Sequence, residues 1–314
     1  CSPDSIKALS DYHKTFKFAS LKNVIIYDYT QFMSKEKSEV QVLLDLGLKV
    51  IYFSELVKKC TEDVKLKSAQ FDSVLTLCYT SGTTNLPKGA MLTQRGFYTQ
   101  LSFVASSGIN YNCEDVLLSY LPLAHVMERV NVLIGLSLGA KLGFISGNDI
   151  KKFLMDDLQL LKPTIFVAVP RILVNFHQKV LEGFSKLTGC SKSIADSGLN
   201  TKRENYEKDN NDIKHWYYDS LVFSKVRAKF GGNVRALITG SAPVPKDIMR
   251  DIKLLLSCPI LEGYGMTELH GASTSTNYSD LSNLNVGGVV KESRLKLVDK
   301  KELNYHSKTE FDGK

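Results

Sequence analysis

The eleven residues Tyr79–Gly89, YTSGTTNLPKG, hold four Ser/Thr hydroxyls, two glycines and a lysine, directly after the apolar run Val74–Tyr79. A glycine-rich turn exposes successive backbone N–H groups to an anion, and hydroxyls add further donors. Lys88 adds a compact cation suited to phosphate. An ordinary polar turn draws on the same residue types but seldom needs so many hydroxyls. A Walker A loop requires GxxxxGK followed by Ser or Thr. Here Lys88 precedes Gly89 and no hydroxyl follows it, which excludes that loop.

Two further segments carry chemistry. In LITGSAPVP, 237–245, the small residues Gly240, Ser241 and Ala242 let a planar base lie close to the backbone, and Pro243 and Pro245 fix the turn. In LEGYGMTE, 261–268, Tyr264 stands between Gly263 and Gly265 and offers an aromatic face. Thr267 supplies a hydroxyl, and Glu268 a hard carboxylate oxygen of the kind Mg²⁺ takes alongside phosphates. Read as a GxGxxG dinucleotide fingerprint, this segment fails, because Glu268 occupies the third glycine position. His125 in YLPLAHVMERV, 120–130, opens an apolar helical pattern. A histidine there serves either chemistry or a structural hydrogen bond. Glu128 and Arg129 suit local pairing. His270, two residues past Glu268, is ambiguous between a ligand contact and a structural role.

The stretch YTSGTTNLPKG resembles the phosphate loop of the adenylate-forming superfamily, close to YTSGTTGxPKG, and departs from it at one position. Asn85 stands where glycine is usual, and Asn is the next most tolerant of positive φ. The GSAPVP and GYGMTE segments follow in the family's order. The words YLPLAHVMERV, GAKLGFISGNDI, LKPTIFVAVPRIL, CPILEGYGMTE and VGGVVKESRLKLVDKKELNY resemble the eukaryotic long-chain fatty-acid:CoA ligases over almost all of the chain outside 188–214.

The resemblance implies a two-step reaction. A fatty carboxylate attacks the α-phosphorus of ATP, and the thiol of coenzyme A then displaces AMP from the acyl-adenylate. It assigns Thr80, Ser81, Gly82, Thr83, Thr84 and Lys88 to the β- and γ-phosphates. Gly240, Ser241, Ala242, Pro243, Glu262, Gly263, Tyr264, Gly265 and Met266 are assigned to the nucleotide. Thr267 goes to the α-phosphate, Glu268 to Mg²⁺, and His125 to the carboxylate and thioester channel. The family also carries a ribose-binding Asp and a mobile lysine-bearing domain after the counterpart of 296–305, and a further portion before 21–29. The chain is therefore expected to be the central part of the large N-terminal domain, inactive alone. A non-catalytic nucleotide-binding paralogue and a ligase for another carboxylic acid stay open.

These side chains need elements to position them. Short β-branched or apolar runs at 24–27, 50–53, 74–79, 116–121, 165–169 and 234–238 read as strands. Helical patterns lie between them at 93–106, 125–138, 150–161, 171–187 and 245–256, with Thr93 as an N-cap. This alternation predicts an α/β fold with a mostly parallel sheet flanked by helices. The phosphate loop is expected to join the 74–79 strand directly to the helix at 93. The polar stretch 188–214 is expected to be a solvated loop or loose helical insertion. A β-rich segment is expected from 277, with strands at 286–290 and 295–298, so that the domain reading is 1–276 and 277–314.

Composition agrees with a folded, non-fibrous protein: 314 residues, 43% hydrophobic and 23% charged. The net charge of +7 is spread rather than massed, which gives nucleic-acid binding little support and remains compatible with anionic substrates or peripheral contact with lipid headgroups. Six cysteines form no CxxC pair and suit a reducing compartment. The most apolar stretch, 130–140, has eleven residues against the roughly 20 that span a bilayer.

Overall fold

The apolar runs fold as strands in two units, Cys1–Ser68 and Ala69–Lys314. The structure is a computed structural model describing residues 1–2, 5–27, 37–59, 65, 67–80, 86–147, 149–282 and 285–303. In the first unit, α1 (Ile6–Phe16), β1 (Asn23–Ile26), α2 (Lys37–Asp45), β2 (Lys49–Tyr52) and α3 (Phe53–Lys59) follow one another. The strands pair in parallel, Val24 opposite Val50. Ile6, Val24, Ile26, Leu43 and Leu48 form its core.

The second unit begins with an antiparallel hairpin, β3 (Val74–Thr80) and β4 (Lys88–Thr93), paired from Thr80↔Lys88 at its loop end to Val74↔Thr93. The expected strand–loop–helix is thus corrected, because a second strand intervenes before the helix. Alternation explains it: Cys78 and Leu92 face inward and are buried, while Leu77, Tyr79 and Met91 face outward and are exposed. Thr93 then caps α4 (Gln94–Gln100), its hydroxyl accepting from the Gly96 N–H at 3.2 Å. A second short helix, α5 (Ser102–Ser107), follows.

From there the chain alternates: β5 (Val116–Ser119), α6 (Val126–Ser137), β6 (Lys141–Phe144), α7 (Ile150–Leu161), β7 (Ile165–Val167) and α8 (Pro170–Ser185). It continues through α9 (Gly189–Lys208), α10 (Trp216–Tyr218), a π turn (Asp219–Phe223), α11 (Ser224–Ala228), β8 (Ala236–Thr239), α12 (Lys246–Leu256), β9 (Ile260–Met266), β10 (Gly271–Ser275) and β11 (Gly288–Val289). The seven strands are ordered β11-β10-β9-β8-β7-β5-β6. Neighbours from β9 to β6 are parallel, and β10 and β11 add antiparallel pairings at one edge. Helices α7, α8, α9 and α12 pack into one large core with Phe166 and Leu237, whereas α4, α5 and α6 contribute Phe97, Phe103 and Ile134 to separate clusters. The chain steps from β5 to β6, then back past β5 to β7. Right-handed crossovers accordingly put α6 on one face and α7, α8 and α12 on the other.

Two expectations at the polar end of the sequence change. The 188–214 stretch contains the 20-residue helix α9, and Ala195, Leu199, Lys202 and Tyr206 form its buried stripe. The helix is held by ions as much as by apolar contacts. Lys202 Nζ donates to Asp219 at 2.6 Å and to Ser257 Oγ at 3.0 Å, and Arg203 Nε donates to Asp251 at 2.9 Å. The Lys202 ammonium lies over the Phe223 ring, 4.8 Å from its centre. No strand forms at 295–298; among the described residues beyond β10, Gly288–Val289 pairs as β11 and Lys300 makes an isolated bridge. Among the described residues five cysteines are free, and no helix is long and apolar enough to cross a membrane.

Candidate functional site at the carboxyl edge of the sheet

The hairpin carries the first motif. Thr80 ends β3 and Lys88 begins β4, with the Thr80 hydroxyl donating to the Lys88 carbonyl at 3.5 Å. Lys88 is exposed and makes no ion pair among the described residues. Ser81, Gly82, Thr83, Thr84 and Asn85 lie outside the described residues. Two residues before that end of the hairpin, the buried Cys78 thiol donates to the Ala124 carbonyl at 3.0 Å, which ties β3 to the loop ending in His125.

β8 and β9 carry the second and third motifs. The two strands run parallel with Thr239 opposite Glu262, so the Gly240–Pro243 turn and the Gly263–Met266 stretch leave the sheet side by side. Ser241 adopts φ +72°, a left-handed conformation in which a non-glycine residue is uncommon. A Cβ at Gly240 would lie 3.1 Å from the Gly263 carbonyl, and one at Gly265 would lie 2.0 Å from the Gly271 carbonyl. The glycines around Tyr264 are therefore needed for the approach of β9 to its neighbours. Tyr264 keeps its ring half exposed between them. The Glu262 carboxylate accepts the Val244 N–H and braces the end of the Gly240–Pro243 turn. Burial pushes its pKa up, against the pull of that N–H and of Lys253.

Thr267 and Glu268 sit in a single 3₁₀ turn, Thr267–Leu269, that ends in His270 at φ +64°. The His270 ring fills the space beside Gly96, where a Cβ would lie 2.1 Å away, and its Nε2 accepts the Thr93 N–H at 2.8 Å. Burial holds the imidazole pKa below its usual value, which keeps Nε2 free to accept. Gln100, 4% exposed, completes the joint. Its amide donates to the Leu269 and Ala272 carbonyls at 3.3 Å each and accepts the Ala272 N–H at 3.0 Å. His270 is thus a positioning residue between the hairpin and the Thr267–Glu268 turn. Gln100 does the same work and escapes sequence reading altogether. Its partners lie up to 172 residues away, and a lone glutamine in a helical pattern gives no signal.

His125 is exposed at the N-terminus of α6; its N–H donates to the Pro122 carbonyl at 2.9 Å and its side chain caps nothing. One turn later Glu128 is fully buried. It accepts from Asn131 Nδ2 at 3.2 Å and from the Ser119 hydroxyl and Leu121 N–H, and burial raises its pKa against these bonds. Among the described residues its Oε2, Arg129 Nε and the Thr239 hydroxyl are buried without a protein partner. Glu128 and Arg129 do not pair with each other. Met127 Sδ lies 4.0 Å from Ser241 Oγ, so α6 abuts the Gly240–Pro243 turn. All four motif-bearing segments are joined in this way at the carboxyl ends of β5, β8 and β9, the edge where open α/β sheets bind ligands. Glu268 is exposed and unpaired among the described residues. A single free carboxylate is a ligand that suits Mg²⁺, which draws its other ligands from phosphates and water.

A family model described as "AMP-binding enzyme" matches residues 11–311. The human protein "Long-chain-fatty-acid--CoA ligase 1" is 36% identical over 286 residues, 82% of this chain and 40% of that protein. The Arabidopsis thaliana protein "Long chain acyl-CoA synthetase 6, peroxisomal" is 32% identical over 262 residues, 83% of this chain and 37% of its own length. The chain thus spans well under half the length of these relatives. Among solved structures, the A domain of carboxylic acid reductase from Segniliparus rugosus, in complex with AMP and a co-purified carboxylic acid, superposes with a TM-score of 0.71 at 22% identity. The match covers 98% of this chain and 46% of that one.

Proposed function

Because this chain belongs to the AMP-binding enzyme family, we propose that the protein carrying it activates a long-chain fatty acid with ATP, first to an acyl-adenylate and then to acyl-CoA. The joining of the four motif segments at one edge of the sheet carries the reading. The names of the relatives supply the substrate class.

A carboxylate is a weak nucleophile and pyrophosphate a highly charged leaving group, so positioning and charge neutralisation dominate. Lys88, Thr80 and the loop residues Ser81, Gly82, Thr83 and Thr84 hold the β- and γ-phosphates and stabilise the charge that develops on pyrophosphate. Thr267 donates to an α-phosphate oxygen. Gly240–Pro243 and Glu262–Met266 form the nucleotide floor, with the Tyr264 ring against the base. Glu268 holds Mg²⁺, which supplies further neutralisation of the phosphates when bound. His125, at the positive end of α6, faces the anionic carboxylate. Coenzyme A then delivers its thiolate to the acyl carbon, breaking the bond to phosphate and releasing AMP.

Fatty-acid-dependent ATP–pyrophosphate exchange tests the first step. Lys88→Ala and Glu268→Gln are each expected to lower it by about 10²-fold or more while leaving the circular dichroism spectrum intact. Nucleotide binding without exchange on any carboxylic acid would replace this reading with a non-catalytic nucleotide-binding role. Exchange with short or aromatic acids alone would change the substrate class.

A further inference from the structure

On the face of the sheet opposite α6, helices α7, α8, α9 and α11 enclose a groove of about 1120 Å³ that the adenylation chemistry does not use. Its floor is built from the core: Leu154, Phe176, Phe184 and Phe230 line it and are all at least nine-tenths buried. Its rim is cationic. Lys151, Arg171, Lys179, Lys225 and Lys229 border it, against the single carboxylate of Asp156. Among the described residues none of these five cations makes an ion pair. Gly183 lies in the last turn of α8, on the groove wall. Glycine within a helix costs up to about 1 kcal/mol relative to alanine. Close approach does not require it here, since a Cβ at this position would meet nothing within 4 Å. The missing side chain leaves the groove open.

We infer that this groove binds the chain of a single long-chain fatty carboxylate, its tail on the Phe176–Phe230 floor and its carboxylate among the rim cations. An apolar trough deep in a helical layer suits a hydrocarbon tail. Five unpaired cations around it select an anionic head over a neutral one. The volume lies just above the usual range for a small-molecule site, large enough for a flexible chain. The site is separate from the proposed adenylation site, because it lies across the sheet from the hairpin and α6.

Gly183→Leu fills the groove, and by helix propensity it should not weaken α8. Titration of the protein carrying this chain with the fluorescent fatty acid cis-parinarate is expected to lose one class of sites in this variant. Fatty-acid-dependent pyrophosphate exchange should remain, if the protein adenylates at all. The double variant Lys225→Glu/Lys229→Glu is expected to weaken parinarate binding at that class about tenfold or more, the equivalent of roughly 1.4 kcal/mol, while displacement by the neutral oleyl alcohol stays unchanged. Parinarate binding by Gly183→Leu identical to wild type in both stoichiometry and affinity would overturn the proposal. So would sedimentation with phosphatidylserine vesicles that Gly183→Leu abolishes in the absence of any loss of parinarate sites, which would make the groove a membrane contact. Absence of exchange in the wild-type protein, with the parinarate class still lost in Gly183→Leu, would count against the adenylation reading alone.

Discussion

Glu128 has none of its surface exposed, yet one carboxylate oxygen finds no protein partner. Burial disfavours its charged form, and the bonds from Ser119, Asn131 and Leu121 offset this only in part, so its folded pKa stands above 4.5. The sign follows by linkage. A carboxyl whose pKa is raised on folding costs stability once pH exceeds the folded value, and the cost vanishes as pH falls to 4.5. Glu128→Gln keeps the shape and removes the charge, so it is expected to stabilise the protein at pH 7.5 by on the order of 1 kcal/mol. That gain should disappear near pH 4.5, as read from denaturant midpoints at the two pH values. A variant no more stable than wild type at pH 7.5 would show that water or a neighbour outside the described residues already compensates the buried charge. The Thr239 hydroxyl and the Arg129 Nε, without partners among the described residues, share the edge where β5 and β8 end. Glu128 therefore belongs to the wall of the proposed site, and sequence spacing alone marked it only as a group for local pairing.

At the scale of elements, the joint between the β3–β4 hairpin and the Thr267–Leu269 turn rests on a fit between His270 and Gly96. Alanine for glycine inside α4 would ordinarily gain about 1 kcal/mol through helix propensity. Here the new methyl would collide with the His270 ring at 2.1 Å, so Gly96→Ala is expected to destabilise. In a His270→Ala background the ring is gone, and the same substitution is expected to stabilise. This reversal of sign in a double-mutant cycle separates a packed joint from two unrelated positions. His270→Ala alone leaves the Thr93 N–H without its acceptor and should cost about 1–3 kcal/mol. It should also raise the KM for ATP more than it lowers kcat, because the hairpin loses its register against Thr267 and Glu268. Additive effects of the two substitutions on stability would dismiss the joint. Elements like these also show where sequence reading reaches. The limits of α7 match the 150–161 pattern, since Asp149 caps the helix and Lys162 ends it at φ +54°. The motif glycines pointed to one nucleotide edge. β4 was hidden because its six residues run from a proline-flanked loop into a good N-cap. A helical insertion is one reading of 188–214, but the packing of α9 was hidden because it is held by Lys202 and Arg203, side chains whose composition reads as solvated until Asp219 and Asp251 arrive from elsewhere in the fold.

For the whole molecule, alkaline pH reports on the core beneath β9. Lys253 is 1% exposed; its ammonium donates to the Leu281 carbonyl at 2.7 Å, and burial pulls its pKa down to about 8. Asp280, Glu262 and Cys258 face it and oppose that shift. An amine whose pKa falls from 10.5 to about 8 on folding penalises the native state below pH 8 by about 3 kcal/mol, and the penalty is relieved as pH rises from 8 towards 10.5. Cys258, fully buried, acts in the opposite direction. Its thiol is pushed from 9.0 up to about 12, so the unfolded chain gains by ionising it above pH 9. Tyr206, raised to about 12, adds to that loss above pH 10. Stability is therefore expected to climb between pH 8 and 9, flatten, and fall beyond 10. Lys253→Met should reduce the climb without destabilising the protein at pH 7.5, because the Tyr206 hydroxyl also donates to the Leu281 carbonyl and leaves it satisfied. Guanidinium midpoints at half-unit steps from pH 7.5 to 10.5 decide the matter. Equal slopes between pH 8 and 9 for wild type and Lys253→Met would mean that the lysine keeps its ordinary pKa, solvated by opening, and that the region under β9 is less tightly closed than its packing implies.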